Sequence, residues 1–93
     1  MRPVLHGDLV AAARVLRGAS AGQRAARMRE LLAAAELGER YRRRIGRPHP
    51  RFGGGSLMAA AGAWPMPPEP ALDDSDYLVS LKCVIDALLA RRP

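Results

Sequence analysis

Thiols are almost missing from this sequence. Cys83 is the only cysteine in 93 residues, so an internal disulfide and a thiolate metal site built from this chain alone are excluded. Aromatic residues are as scarce: Tyr41, Phe52, Trp64 and Tyr77 are the whole set. Of these, only Tyr41 and Phe52 lie among the arginines, which argues against a stacking platform for single-stranded nucleic acid. His6 and His49 have no ligand spacing, so neither a metal centre nor a cofactor is expected. No apolar run approaches the ~20 residues that span a bilayer. The opening MRPVLHGDLV lacks the uninterrupted apolar core of a signal peptide. A cytoplasmic protein with no membrane partner is the expectation.

What is abundant is alanine and arginine. Apolar residues make up 48 % of the chain, many of them alanine, the best helix former and a poor strand residue. The expected fold is therefore all-α, a small helical domain. A chain of this length buries only about 60–65 % of its unfolded surface, which leaves a narrow stability margin and makes a homo-oligomer a live expectation. The net charge of +6 is unevenly spread. Residues 1–51 carry twelve arginines against four acids, and residues 52–93 carry three basic residues against five acids. The first half thus suits a polyanion or an acidic surface. Lys82 is the only lysine beside fourteen arginines, a bias that either genome composition or bidentate phosphate contact would produce.

Three units are expected: a basic helical hairpin with an arginine-rich turn and short helix over 1–63, a proline-rich linker over 64–71, and an amphipathic C-terminal helix over 72–93. Asp8 is placed to cap a first helix that Gly18 ends, with Leu9, Ala12, Ala13 and Leu16 on one face. Ser20 and Gln23 have capping-box spacing at the start of a longer helix running to about Ile45. Its apolar seam passes through Leu31, Ala34, Gly38, Tyr41 and Ile45. That seam fits either packing in a hairpin or a contact between protomers, and Gly38 hints at a close crossing.

The opposite side of this helix carries the candidate binding residues. Arg29, Arg40, Arg43, Arg44 and Arg47 fall within about a third of a turn, and Arg51 follows in the turn Arg47-Pro48-His49-Pro50-Arg51, expected to be extended because proline disfavours helix in the residue before it. Glu36 and Glu39 precede Arg40 and Arg43 by four residues, the order that favours weak helical ion pairs. Arg44, Arg47 and Arg51 have no such acid. The residues expected to contact nucleic acid are Arg40, Arg43, Arg44, Arg47 and Arg51. His49 reads as a solvated turn residue without a nameable partner. Gly53-Gly54-Gly55-Ser56 resembles a phosphate cradle, but no lysine follows the glycines, and a turn capped by Ser56 is the plainer reading.

Four prolines between Trp64 and Pro70 dictate an extended connector. Leu72 and Tyr77 are spaced as a hydrophobic staple around an Asp73 cap, with Asp74 and Asp76 at the positive helix end and Arg91 and Arg92 at the negative one. The helix between carries a broad apolar stripe. Tyr77, Leu78, Leu81, Ile85 and Leu88 are the candidate partner-binding residues, although the same stripe also reads as core. Cys83 has no sequence cue to a base, and the aspartates are explained by capping, so no enzyme is expected.

The segments HGDLVAAARVL, YRRRIGRPHPRFGGGSLMAAA and LDDSDYLVSLKCVIDALLARR resemble the small terminase subunit of alphaproteobacterial gene transfer agents. The resemblance implies a non-catalytic, ring-forming DNA-packaging adaptor that hands double-stranded DNA to a large ATPase partner. One departure is evident. Residues 1–18 hold a single short helix in place of the helix-turn-helix of phage small terminases, which tells against sequence-specific reading. The competing expectation is a helical protein-protein adaptor whose arginines meet an acidic partner. A membrane-surface helix fits less well, because the basic helix lacks a bulky apolar face.

Overall fold

Small side chains let the helices of this all-α protein approach closely. In the computed structural model, which describes residues 1–91, the elements are α1 (His6–Arg17), α2 (Arg24–Ile45), α3 (Leu57–Ala61) and α4 (Ser75–Ala90), with a 3-10 turn over Ala21–Gln23 leading into α2. Among the described residues there is no β-strand, and one isolated antiparallel bridge joins His49 to Gly53. Arg92, expected beside Arg91 at the end of the last helix, lies outside the described residues.

Half of the fourteen buried apolar residues are alanines (Ala11, Ala12, Ala13, Ala34, Ala35, Ala60, Ala61), which bring backbones together but remove little apolar area from water. The larger contributors are Val15, Leu16, Met28, Leu31, Leu57, Tyr77 and Val84, all at most 1 % exposed. Each large aliphatic or aromatic side chain so enclosed contributes roughly 1.5–3 kcal/mol. α1 is the central helix, packed against α3 and α4, and α2 lies across all three. α1 and α4 run antiparallel: Arg17 meets Asp74 at one end, and Leu9 shares a depression with Ile85 and Leu89 at the other.

Several helix starts differ from expectation. Leu5 is the N-cap of α1, and Asp8, one turn inside, is 5 % exposed. Its carboxylate accepts from the Leu5 amide at 2.8 Å and from the Met58 amide at 2.8 Å, so it joins α1 to the start of α3 instead of capping one helix. Ser20 forms no side-chain cap; the chain turns there through a backbone bond from Gln23 to Ser20. Asp74, not Asp73, caps α4, accepting from the Tyr77 amide at 2.9 Å. The staple does not form, because Leu72 is 66 % exposed. Three ends are as expected: Gly18 closes α1, Gly46 closes α2 in the left-handed region at φ 82°, and Ser56 caps α3.

The chain from Pro65 to Ala71 has no regular structure and is fastened to α1. Arg14 donates from Nε to the Pro67 carbonyl at 2.7 Å and from Nη2 to the Met66 carbonyl at 3.4 Å. Arg24 completes the fastening. The residue is 8 % exposed, and its guanidinium donates from Nε to the Leu16 carbonyl at 2.9 Å and grips Asp76 with both terminal nitrogens, at 2.9 and 3.0 Å. The last turn of α1, the first of α2 and the first of α4 thereby meet at one side chain.

The seam on α2 is filled from within the chain. Leu31 and Ala34 join the core, and Gly38 is crossed not by a helix but by the loop after α2. A Cβ there would stand 2.6 Å from the Gly53 carbonyl oxygen. Ile45, at the end of the seam, is exposed.

Two outcomes follow for stability. Gly38→Ala is expected to lower Tm despite the ~1 kcal/mol helix-propensity gain, because backbone cannot yield cheaply and overpacking costs about 1–3 kcal/mol. Gly22→Ala, which meets nothing within 4 Å, serves as the unstrained control. The hydrogen bond from Arg24 holds the Asp76 carboxyl below its usual range. A depressed folded-state value stabilises above the unfolded value near 4 and is lost as pH falls through the folded one. Asp76→Asn should therefore lower Tm at neutral pH, and its gap from the parent should close below about pH 4 in a thermal melt series.

Candidate nucleic-acid interface

Four arginines tie the loops and helix ends together, and five others form the candidate surface. Arg14 and Arg24 are occupied as described, and Arg17 pairs with Asp74 at 3.2 Å. Arg42, half-buried, donates to the Gly54 carbonyl at 3.0 Å, which fastens the loop after α2 onto the helix. Arg40, Arg43, Arg44, Arg47 and Arg51 are all exposed. Among the described residues only Arg43 of these five has a carboxylate partner, Glu39 at 3.2 Å.

The pair expected between Glu36 and Arg40 is not formed. Glu36 turns toward the Met1 amino group, 3.2 Å away, and toward Arg91. Glu39 is nearly enclosed, with the Met1 amino group at 2.6 Å and Arg42 at 3.6 Å. Hydrogen bonding to that amino group, followed by the charges of Arg43 and Arg42, holds the Glu39 carboxyl below its usual range, and the same contact raises the amino group. Glu36 and Glu39 are thus engaged by the amino terminus, Arg91, Arg42 and Arg43, and Arg40, Arg44, Arg47 and Arg51 have no carboxylate partner among the described residues.

Arg40, Arg43 and Arg44 border a shallow depression with Leu37, Tyr41 and Ile45. Leu37 also borders the neighbouring depression, which Arg51, Phe52 and Trp64 line. Arg47 does not continue the helical row as its sequence position suggested. α2 ends at Ile45, and the left-handed Gly46 sends the chain into the loop.

That loop is closed where an extended segment was expected. The amide of His49 donates to the Gly53 carbonyl at 2.9 Å and the Gly53 amide donates back at 3.0 Å. Gly53 at φ 76° and Gly55 at φ 114° take conformations that side chains rarely adopt. His49 is not a free turn residue. Its Nδ1 accepts from the amides of Arg51 and Phe52, both at 3.1 Å, which puts the ring proton on Nε2. Its ring stacks on Phe52 at 5.0 Å and meets Tyr41 edge-on at 5.0 Å, and Phe52 stacks on Trp64 at 6.0 Å. Arg27 lies over Trp64 at 5.7 Å and Arg51 over Phe52 at 5.1 Å. This ladder was hidden in the sequence because its four rings are spread over 24 positions. It stacks ring upon ring within the protein, so it stiffens the mount for Arg47 and Arg51.

The expected partner-binding residues divide. Tyr77 is fully buried, and burial pushes its phenol above the ordinary value; as a core side chain it cannot meet a partner. Leu81 and Leu88 are half-buried against the core. Leu78 and Ile85 are exposed, at 47 % and 44 %.

A family described as a domain of unknown function (DUF7742) matches residues 2–88. The chain belongs to the DUF7742 family. No curated protein and no solved structure matches it. The DUF7742 match runs from before α1 nearly to the end of α4, so the closed loop and the arginine surface both fall inside it.

His49→Ala should raise hydrogen exchange at the amides of Arg51, Phe52 and Gly53 by about tenfold or more, equal to ~1.4 kcal/mol of local opening. The amides of α1 should be unaffected in the same measurement. Equal protection in parent and variant would show that the imidazole does not hold the loop.

Proposed function

We propose that this DUF7742 protein is a non-catalytic adaptor that binds double-stranded DNA through its phosphates, with little sequence preference. The observation that carries this reading is the exposure of Arg40, Arg44, Arg47 and Arg51 with no carboxylate partner among the described residues, on a helix end and a loop held rigid from behind. Guanidinium groups so placed can exchange water for phosphate without breaking an internal ion pair. Phosphate contacts position a protein on a duplex and carry no base information. The last turn of α2 also gains from its own arginines at the negative helix end, yet that effect requires neither Arg47 nor Arg51. A DNA-packaging adaptor that passes duplex to a large ATPase, the role the small-terminase resemblance implies, fits such a surface.

A second reading rests on Leu37 and Ile45, 39 % and 52 % exposed between the arginines. Phosphates have no use for them, whereas an acidic segment of a partner protein with apolar side chains does.

Titration of a labelled duplex over a range of salt separates the two. The combined variant Arg43→Glu, Arg44→Glu, Arg47→Glu should weaken binding equally across sequences and flatten the plot of log affinity against log salt by about 0.9 for each phosphate no longer neutralised. An unchanged slope would show that these residues do not face the DNA. If Leu37→Ala with Ile45→Ala leaves duplex affinity within about twofold, the DNA reading stands. No duplex binding even at low salt favours the acidic protein partner.

A further inference from the structure

We infer that two copies of this chain pair through the outward face of α4, antiparallel about a two-fold axis between the levels of Lys82 and Asp86. One side of α4 is sealed in the core by Tyr77 and Val84. The other side presents Leu78, Lys82, Ile85 and Leu89, which step by four, three and four residues. That is the seam spacing of helices that pack against helices. Leu78, Ile85 and Leu89 are 47, 44 and 54 % exposed, and Val79 beside them is 57 % exposed. The apolar surface continues off the helix, since Val4 and Leu5 line one depression with Ile85, Leu88 and Leu89. Leu5 is the most exposed large apolar residue of the described chain, at 70 %.

Charge selects the occupant. The middle of this face carries two charges, Lys82 and Asp86, one turn apart and 2.7 Å from each other. A two-fold contact must be complementary to itself, and this face is. When a second α4 is laid against it in reverse, Leu78 and Val79 stand opposite Leu89 and Ala90 of the second copy. Lys82 then stands opposite Asp86, and Ile85 lies beside the axis near its own counterpart. The two intramolecular ion pairs become a four-charge ring without leaving any charge unmatched.

Size sets the strength. A helix of sixteen residues is about 24 Å long, and with Val4 and Leu5 added the two faces bury close to the lower bound of ~1,000 Å² for a specific interface. An interface of that size belongs with the weak, concentration-dependent associations. The depression bordered by Arg40, Arg43 and Arg44 shares no residue with this face, so the dimer and the DNA contact stand or fall separately.

Sedimentation equilibrium from about 1 µM to 1 mM tests the pairing. The parent should move from the 10.0 kDa chain mass toward twice that value, and Ile85→Glu with Leu89→Glu should hold it at the single mass. Both positions are exposed, so circular dichroism and Tm should show the fold retained. Lys82→Glu alone and Asp86→Lys alone set like charges face to face and should each raise the dissociation constant more than tenfold. The double exchange Lys82→Glu, Asp86→Lys should restore it to within about threefold. A single mass for the parent throughout overturns the inference, as does a dimer indifferent to Ile85→Glu and Leu89→Glu. Weakening in both single exchanges without restoration in the double one overturns the antiparallel arrangement.

Discussion

The guanidinium of Arg24 is the point on which the rest of the fold turns. A core made half of alanine draws helices together with little apolar area per contact, so their relative placement depends heavily on polar ties. Arg24 supplies the central one, reaching the Leu16 carbonyl at the end of α1, which also accepts from the Ala19 amide, and a carboxylate at the start of α4. Such a buried charge is costly alone and tolerable only because each of its directions is answered. Arg17 and Arg14 extend the same tie along the connector. Asp8 does the equivalent at the other end of α1, where one carboxylate receives amides from two segments fifty residues apart.

This division of labour explains why a strongly basic small protein keeps an unneutralised face. Positive charge within one chain repels itself. Here part of the arginine is given to structure, and five of the others gather at one end of α2 and in its following loop, while Arg2 and Arg29 stand exposed elsewhere. The carboxylates of Glu36 and Glu39 serve the amino terminus and Arg91, and of the outer row they reach only Arg43.

Periodicity and end signals made the helices legible: α2 ends where Gly46 said it would, and Ser56 caps α3. Caps that depend on choosing between adjacent acids were not legible, because Asp73 and Asp74 offer the same chemistry and only the path of the connector decides between them. Asp8 was misplaced for a related reason, since its second partner, the Met58 amide, has no signature in the sequence. The exposure of the arginine row followed from helical phase. The closed loop did not, because the prolines around His49 argue for extension, whereas ring stacking and two amides on one imidazole nitrogen favour a turn. For α4, the phase of the stripe was right but its width misled: Tyr77 and Leu78 are adjacent in sequence and opposite in fate.

The loop between α2 and α3 has a further implication for how this family can vary. Surface connections ordinarily accept added or missing residues with little harm. This one is fixed at three places at once, by the carbonyl of Gly54 on Arg42, by the mutual bonds of His49 and Gly53, and by the backbone of Gly53 lying against Gly38. The number of residues from Gly46 to Ser56 therefore acts as a ruler that sets where α3 begins along α2. Changing that count by one would shift the whole alanine face of α3 out of step with α1, an effect ordinarily associated with insertions inside a helix.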